Sequence, residues 1–79
     1  MDGGSYHQAL VALRSSKENE RVEAAYQIRQ LVLRAGRELG VEMQRFEENL
    51  YAELFGLVHS RVIEEKLGGV AAIEALIGA

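Results

Sequence analysis

The chain of 79 residues predicts an all-α fold, with four helices set as two stacked antiparallel hairpins. Three observations carry this. Proline is absent, and the sequence is dominated by Ala, Leu, Glu, Arg and Val, a composition that favours helix. Apolar residues recur at intervals of three and four, and no segment alternates apolar with polar residues over a strand length. The breaks between periodic segments are short, roughly two to six residues, so consecutive helices must lie side by side and antiparallel.

The first helix is expected over 5–14. Tyr6, Leu10 and Leu13 form one apolar stripe, and Ser5 supplies an N-cap. Residues 1–4 read as a flexible tail or a cloning remnant. Ser15 and Glu18 have the spacing of a capping box, which starts a second helix over 17–39. Its apolar face carries Val22, Ala25, Ile28, Val32, Ala35 and Leu39, widened by Leu31. Gly36 relaxes its last turn and Gly40 stops it. The third helix, 41–59, has two apolar stripes: Phe46, Leu50, Leu54 and Leu57, then Met43, Tyr51, Phe55 and Val58 with Glu47 interrupting. An apolar arc that wide predicts a central helix with neighbours on both sides.

The fourth helix is expected over 61–78. Ser60 serves as N-cap, and Glu64 and Glu65 lie near the positive end of the dipole. Gly68 and Gly69 interrupt an otherwise apolar helix. Each costs about 1 kcal/mol relative to alanine, so a neighbouring helix that needs close backbone approach is expected at Gly68 or Gly69. A competing local reading stops the helix after Lys66 and leaves a short one from Val70. The continuous helix is preferred because Leu67, Val70, Ile73 and Ile77 keep their phase through the glycines. The predicted core holds Leu10, Leu13, Val22, Ala25, Ile28, Val32, Phe46, Leu50, Leu54, Leu57, Val70, Ile73 and Leu76. Helix pairs of about 40 residues have the size of HEAT or armadillo units. No clear internal repeat is read between the two halves. Arrays of such units expose an apolar end unless it is capped, and Leu67, Leu76 and Ile77 are expected to form such an interface.

Several functions find no residues. Cysteine is absent, which excludes disulfides and thiolate metal sites and fits a reducing compartment. A net charge of −3 with scattered basic residues gives no nucleic-acid stripe. No apolar run reaches the roughly 18 residues of a membrane span. His7 and His59 lie on different helices without a second ligand at helical spacing, so no metal is expected, and His59 reads as a group near a helix C-terminus. Glu47-Glu48 and Glu64-Glu65 are adjacent pairs whose side chains point about 100° apart, too far to share a proton. Glu74 is placed at the border of the solvent face. Ser15, Ser16 and Ser60 read as caps rather than nucleophiles, since no base accompanies them. Gly68-Gly69 lacks the lysine and the preceding strand of a phosphate loop. No catalytic residue and no cofactor site is expected.

One resemblance covers roughly residues 9–79. Leu13-Arg14-Ser15-Ser16-Lys17-Glu18-Asn19-Glu20-Arg21, Ala24-Ala25, Phe46 with Leu50, Leu54-Phe55 with Leu57-Val58 and Ser60 carry it. So, most specifically, do Glu65-Lys66, Gly68-Gly69-Val70, Ala72-Ile73 and Leu76-Ile77-Gly78. Together they resemble the extreme N-terminus of target of rapamycin (TOR) serine/threonine kinases. Val62 and Ile63 depart from it, being apolar where that family carries polar loop residues.

The resemblance implies a non-catalytic HEAT-repeat scaffold in nutrient and growth signalling, with the kinase domain elsewhere. It implies as partners the following HEAT repeats of the same polypeptide, a Raptor-type subunit and a Rheb-type small GTPase. The implied location is cytoplasmic, with recruitment to endomembrane or the lysosomal or vacuolar surface through partners. The family pattern continues past Ala79, which predicts an unburied C-terminal face. The alternative is a free-standing small helical adaptor that dimerises through an apolar helix face.

Overall fold

The computed structural model describes residues 3–38 and 40–77. The described residues form four α-helices, α1 (Gly3–Ala12), α2 (Glu18–Glu38), α3 (Met43–Val58) and α4 (Ile63–Ile77), with a 3₁₀ turn at Gly40–Glu42 before α3. No strand occurs among them. The α1–α2 hairpin stacks on the α3–α4 hairpin mainly through α2 and α4.

The helix boundaries differ from the expected ones by a turn or less. Helix α1 begins at Gly3, which puts Ser5 inside it rather than at its cap. The expected ends at Leu39 and Gly78, and residues 1 and 2 of the tail, lie outside the described residues. Gly40 adopts a left-handed conformation with φ of 56°, which an L side chain resists. The α1–α2 turn is closed by hydrogen bonds from the Leu13, Arg14 and Ser15 amides to the Ala9, Val11 and Ala12 carbonyls.

The serines act differently from N-caps. The helical turns start at Lys17 and Val62, whose carbonyls accept from the Arg21 and Lys66 amides. Two residues earlier in each case a serine hydroxyl does two jobs. Ser15 Oγ accepts from the Lys17 amide at 3.1 Å and donates to Glu20 Oε1 at 2.5 Å. Ser60 Oγ accepts from the Val62 amide at 3.1 Å and donates to Glu65 Oε1 at 2.5 Å. The partner of Ser15 is thus Glu20 and not the Glu18 of a capping box. The hydroxyl folds the loop in a local turn and its acceptor lies one helical turn inside.

These parallel details expose an internal repeat that the letters of the two halves conceal. Ser15 and Ser60, Glu20 and Glu65, and the helix starts Glu18 and Ile63 share one offset of about 45 residues, the length of a two-helix repeat unit. The offset also pairs Tyr6 with Tyr51, Ile28 with Ile73 and Leu31 with Leu76. Residues between these points differ enough to hide it.

The core contains Ala9, Leu13, Ala24, Ala25, Ile28, Leu50, Leu54, Leu57 and Ala72, with Leu10, Val32, Phe46, Ile73 and Leu76 partly buried against it. Two expected core residues are exposed, Val22 and Val70. Next to Val22, Arg21 takes the core side: it is buried and donates from Nη1 to the Ser15 carbonyl at 2.8 Å. On α4 the two packed faces are taken by Gly68, Gly69 and Ala72, which leaves Val70 beyond both.

The central helix is also not the expected one. Helix α4 packs on both α2 and α3, whereas α3 barely meets α2. Small residues decide this. α4 runs unbroken through Gly68 and Gly69. A Cβ at Gly68 would overlap the Leu13 carbonyl oxygen, and one at Gly69 would lie 3.0 Å from Leu57 Cβ, Val58 Cγ2 and the Val58 nitrogen. Consecutive helix residues point about 100° apart, so the two glycines face two different neighbours. Tyr6 of α1 and Phe46 of α3 join the hairpins at the other end, with ring centroids 5.6 Å apart in a tilted pair.

Three glycine substitutions should rank by these surroundings in urea unfolding. Gly68→Ala should destabilise by about 3 kcal/mol, because the obstacle is backbone. Gly69→Ala should cost less, about 1–2 kcal/mol, since the added carbon would lie 3.0 Å from its neighbours rather than inside one. Gly36→Ala, with nothing within 4 Å of the added carbon, should stabilise by about 0.5–1 kcal/mol through helix propensity. A second expectation concerns alkaline pH. Burial, with the nearby Glu53 carboxylate adding to it, raises the Tyr6 hydroxyl above its ordinary 10.0. The folded state therefore holds this proton more tightly than the unfolded state. Its contribution is complete below pH 10 and is lost as pH rises through the folded value. Chemical denaturation from pH 9 to 11 should show a steeper loss for the native chain than for Tyr6→Phe.

Candidate interaction surface

The chemistry-bearing side chains do not converge. No group of three or more potential metal-ligating residues lies together among the described residues. His7 and His59 are both exposed, and His59 caps the end of α3, where its amide donates to the Phe55 carbonyl at 3.0 Å. Glu74 is exposed. Glu65 accepts from Ser60 and lies 4.0 Å from Arg14 Nε, an ion pair at the partly solvated junction of the two hairpin turns. Pairs of this exposure are worth little by themselves. No helix of the described residues is long and apolar enough to cross a membrane.

What the structure does assemble is an apolar groove of about 280 Å³ along α3 and α4, lined by Tyr51, Phe55, Ile73, Leu76 and Ile77. Phe55 is 57% exposed and Ile77 80% exposed. Of the residues expected at an open C-terminal interface, Leu76 and Ile77 line this groove. Leu67 is exposed on α4 but is not part of it. Tyr51 and Phe55, expected to bury the second stripe of α3, stand open to solvent here instead.

The groove has an equivalent inside the molecule. The repeat offset maps its five lining residues onto Tyr6, Leu10, Ile28, Leu31 and Val32 of the first hairpin. Ile28 and Leu31 are buried there, and Tyr6, Leu10 and Val32 pack partly buried against the core. The same stripe is thus covered in one hairpin and bare in the other. The signal that finds it is the Ser-x-x-x-x-Glu pair at each turn, which fixes the register of the comparison.

The outer face of α1–α2 is mixed, with Val11, Val22, Tyr26 and Leu33 exposed among polar residues. Gln8, Tyr26, Gln27, Gln30, Leu31 and Arg34 line a shallow depression between α1 and α2, and Ala12, Glu20, Glu23, Ala24 and Gln27 line another beside it. In α4 the counterparts of Glu23, Gln27 and Gln30 are Gly68, Ala72 and Ala75, which pack inward. Where a hairpin is received the residues are large and apolar, and where it inserts they are small.

If the serine hydroxyls hold the turns, Ser15→Ala and Ser60→Ala should each lower stability by about 1 kcal/mol in thermal unfolding. The Arg14–Glu65 pair joins the two turns, so a double-mutant cycle measures how far the two effects depart from additivity.

No family model matches the chain, and no solved structure does. It is 33% identical over 66 residues, 82% of its length, to the serine/threonine-protein kinase TOR2 of Saccharomyces cerevisiae. It spans 3% of the length of that relative. A helical chain of 79 residues has no room for a kinase domain. By sequence, then, this pair of helical hairpins is similar to a short segment of a TOR kinase.

Proposed function

We propose that this chain is a non-catalytic helical-repeat scaffold of the HEAT type within a TOR-type serine/threonine kinase. Its α3–α4 groove receives a further hairpin of the same polypeptide. The observation that carries this reading is the pairing of the bare groove with the covered stripe of the first hairpin. A surface built like an internal interface is an interface whose partner is another unit of the same kind. The likeness to TOR2 supports the parent class. Assembly with a Raptor-type subunit and a Rheb-type small GTPase, and a cytoplasmic site of action, follow from the family resemblance.

The mass of the native polypeptide tests this directly. An antibody against this segment should detect a band very much larger than 8.8 kDa. A band near that mass would sink the reading. The groove makes a second test. In this chain Phe55→Ser should change stability by less than about 0.5 kcal/mol, as for exposed positions generally. In a chain extended by the next hairpin the same substitution should cost about 3 kcal/mol, as for a buried aromatic. Equal effects in both contexts would show that nothing stacks there.

A further inference from the structure

The turn between α3 and α4 holds a line of groups that stacking on the groove does not use. Ser60 is half-buried there, with exposed His59 and Arg61 on either side. Its hydroxyl donates to Glu65 Oε1 at 2.5 Å and accepts from the Val62 amide at 3.1 Å. The other carboxylate oxygen of Glu65 lies 4.0 Å from Arg14 Nε, which belongs to the first hairpin. Hydroxyl, carboxylate and guanidinium thus cross from one hairpin to the other. The Arg14 side chain is 51% exposed, so it can shift without disturbing the core.

Two oxygens on one phosphorus are about as far apart as Ser60 Oγ and Glu65 Oε1. A phosphate on Ser60 would therefore put a terminal oxygen where the Glu65 carboxylate sits. Glu65 is partly exposed and can turn to water. The phosphate carries close to two negative charges and three strong acceptor oxygens, against one charge on the carboxylate. A guanidinium meets such a group through two parallel hydrogen bonds. The Val62 amide already points at this spot. Arg61 and Lys66 bring further positive charge to the turn, and Glu64 and Glu65 oppose it. In the first turn Ser15 donates to Glu20 in the same way, but Arg21, the guanidinium held there, is of the same hairpin and is committed to the Ser15 carbonyl. A phosphate on Ser15 would stay within one hairpin.

We propose that Ser60 is a phosphorylation site whose phosphate is clamped by Arg14, so that the modification ties the first hairpin to the second. In the transfer, Ser60 Oγ forms a bond to the terminal phosphorus of a nucleoside triphosphate. The bond from that phosphorus to its bridging oxygen breaks, and the nucleoside diphosphate leaves. The hydroxyl proton passes to the base of the serine kinase that binds the turn. The product exchanges a weak, partly solvated ion pair for a charge-assisted clamp at the same place.

The whole chain with phosphoserine at position 60, made by peptide ligation, tests the clamp. Arg14→Gln should raise the unfolding constant roughly fivefold more in the phosphorylated chain than in the unmodified one. Arg14→Lys, a point charge without the fork, should recover part of that difference. The phosphorus resonance should titrate about half a pH unit higher in the Arg14→Gln chain, because the guanidinium favours the dianion. Equal effects of Arg14→Gln in the two chains overturn the clamp. A phosphorylated chain that has lost its helical circular dichroism overturns it as well. Mass spectrometry of the native polypeptide tests the site. The fragment from Phe46 to Arg61 contains Ser60 as its only serine and should be found carrying phosphate on it. A Ser60 that is unmodified under every growth condition sampled overturns the proposal, and leaves the reading of the groove standing.

Discussion

The backbone of α4 rests on the carbonyl of Leu13, and most of this small fold depends on that approach. The residue at the contact must lack a side chain, because a Cβ at Gly68 would enter the space of the carbonyl oxygen. Once α4 is this close, Leu13 is fully buried and the turn between α1 and α2 is pinned. The adjacent Gly69 lets the other side of α4 meet Leu57 and Val58 of α3 at similar closeness. Two neighbouring residues thus let one helix serve as a wedge between the first hairpin and its own partner. The helix propensity lost at the two positions, about 2 kcal/mol together, is offset by packing that no larger residue could reach.

A wedge of small residues also explains the modest size of the core. Its largest fully buried side chains are Leu13, Ile28, Leu50 and Leu54, and alanines fill much of the rest. Small domains hold a low fraction of their surface inside, and this one has no disulfide to compensate. Stability within the chain rests on regular helix packing. The bare groove on α3–α4 is the place where a neighbour would add most, since Phe55 and Ile77 leave more than half of their surface in water.

The two turns are built alike although the residues around them differ. Each keeps a serine that bends the loop and a glutamate that receives its hydroxyl. Between these anchors the residues follow the environment of their own hairpin. Gln27 meets solvent where its counterpart Ala72 meets a helix. The function of the surface can therefore be read from the difference between equivalent positions. A polar residue in one hairpin and a small one in the other mark a place where the first faces water and the second packs against a neighbour.

The sequence alone determined that the chain is helical, where its breaks fall and which residues are too short for anything but close packing. Those properties are local. Periodicity, the absence of proline and the paired glycines each act within a turn or two of chain. The stripe of Ile28 and Leu31 was legible for the same reason. Tertiary structure decided which amphipathic face found a partner. Tyr51 and Phe55 have the spacing of core residues, yet they stand open because α4 meets α3 along Leu50, Leu54 and Leu57. Val22 looks like a core residue by spacing, but Arg21 reaches the Ser15 carbonyl and takes the inner side. The repeat itself became visible only through hydrogen bonds, since a hydroxyl and an acceptor five residues apart mean little until both turns are seen to use them. Periodicity marks which side of a helix is apolar, and the packing of distant segments determines what covers it.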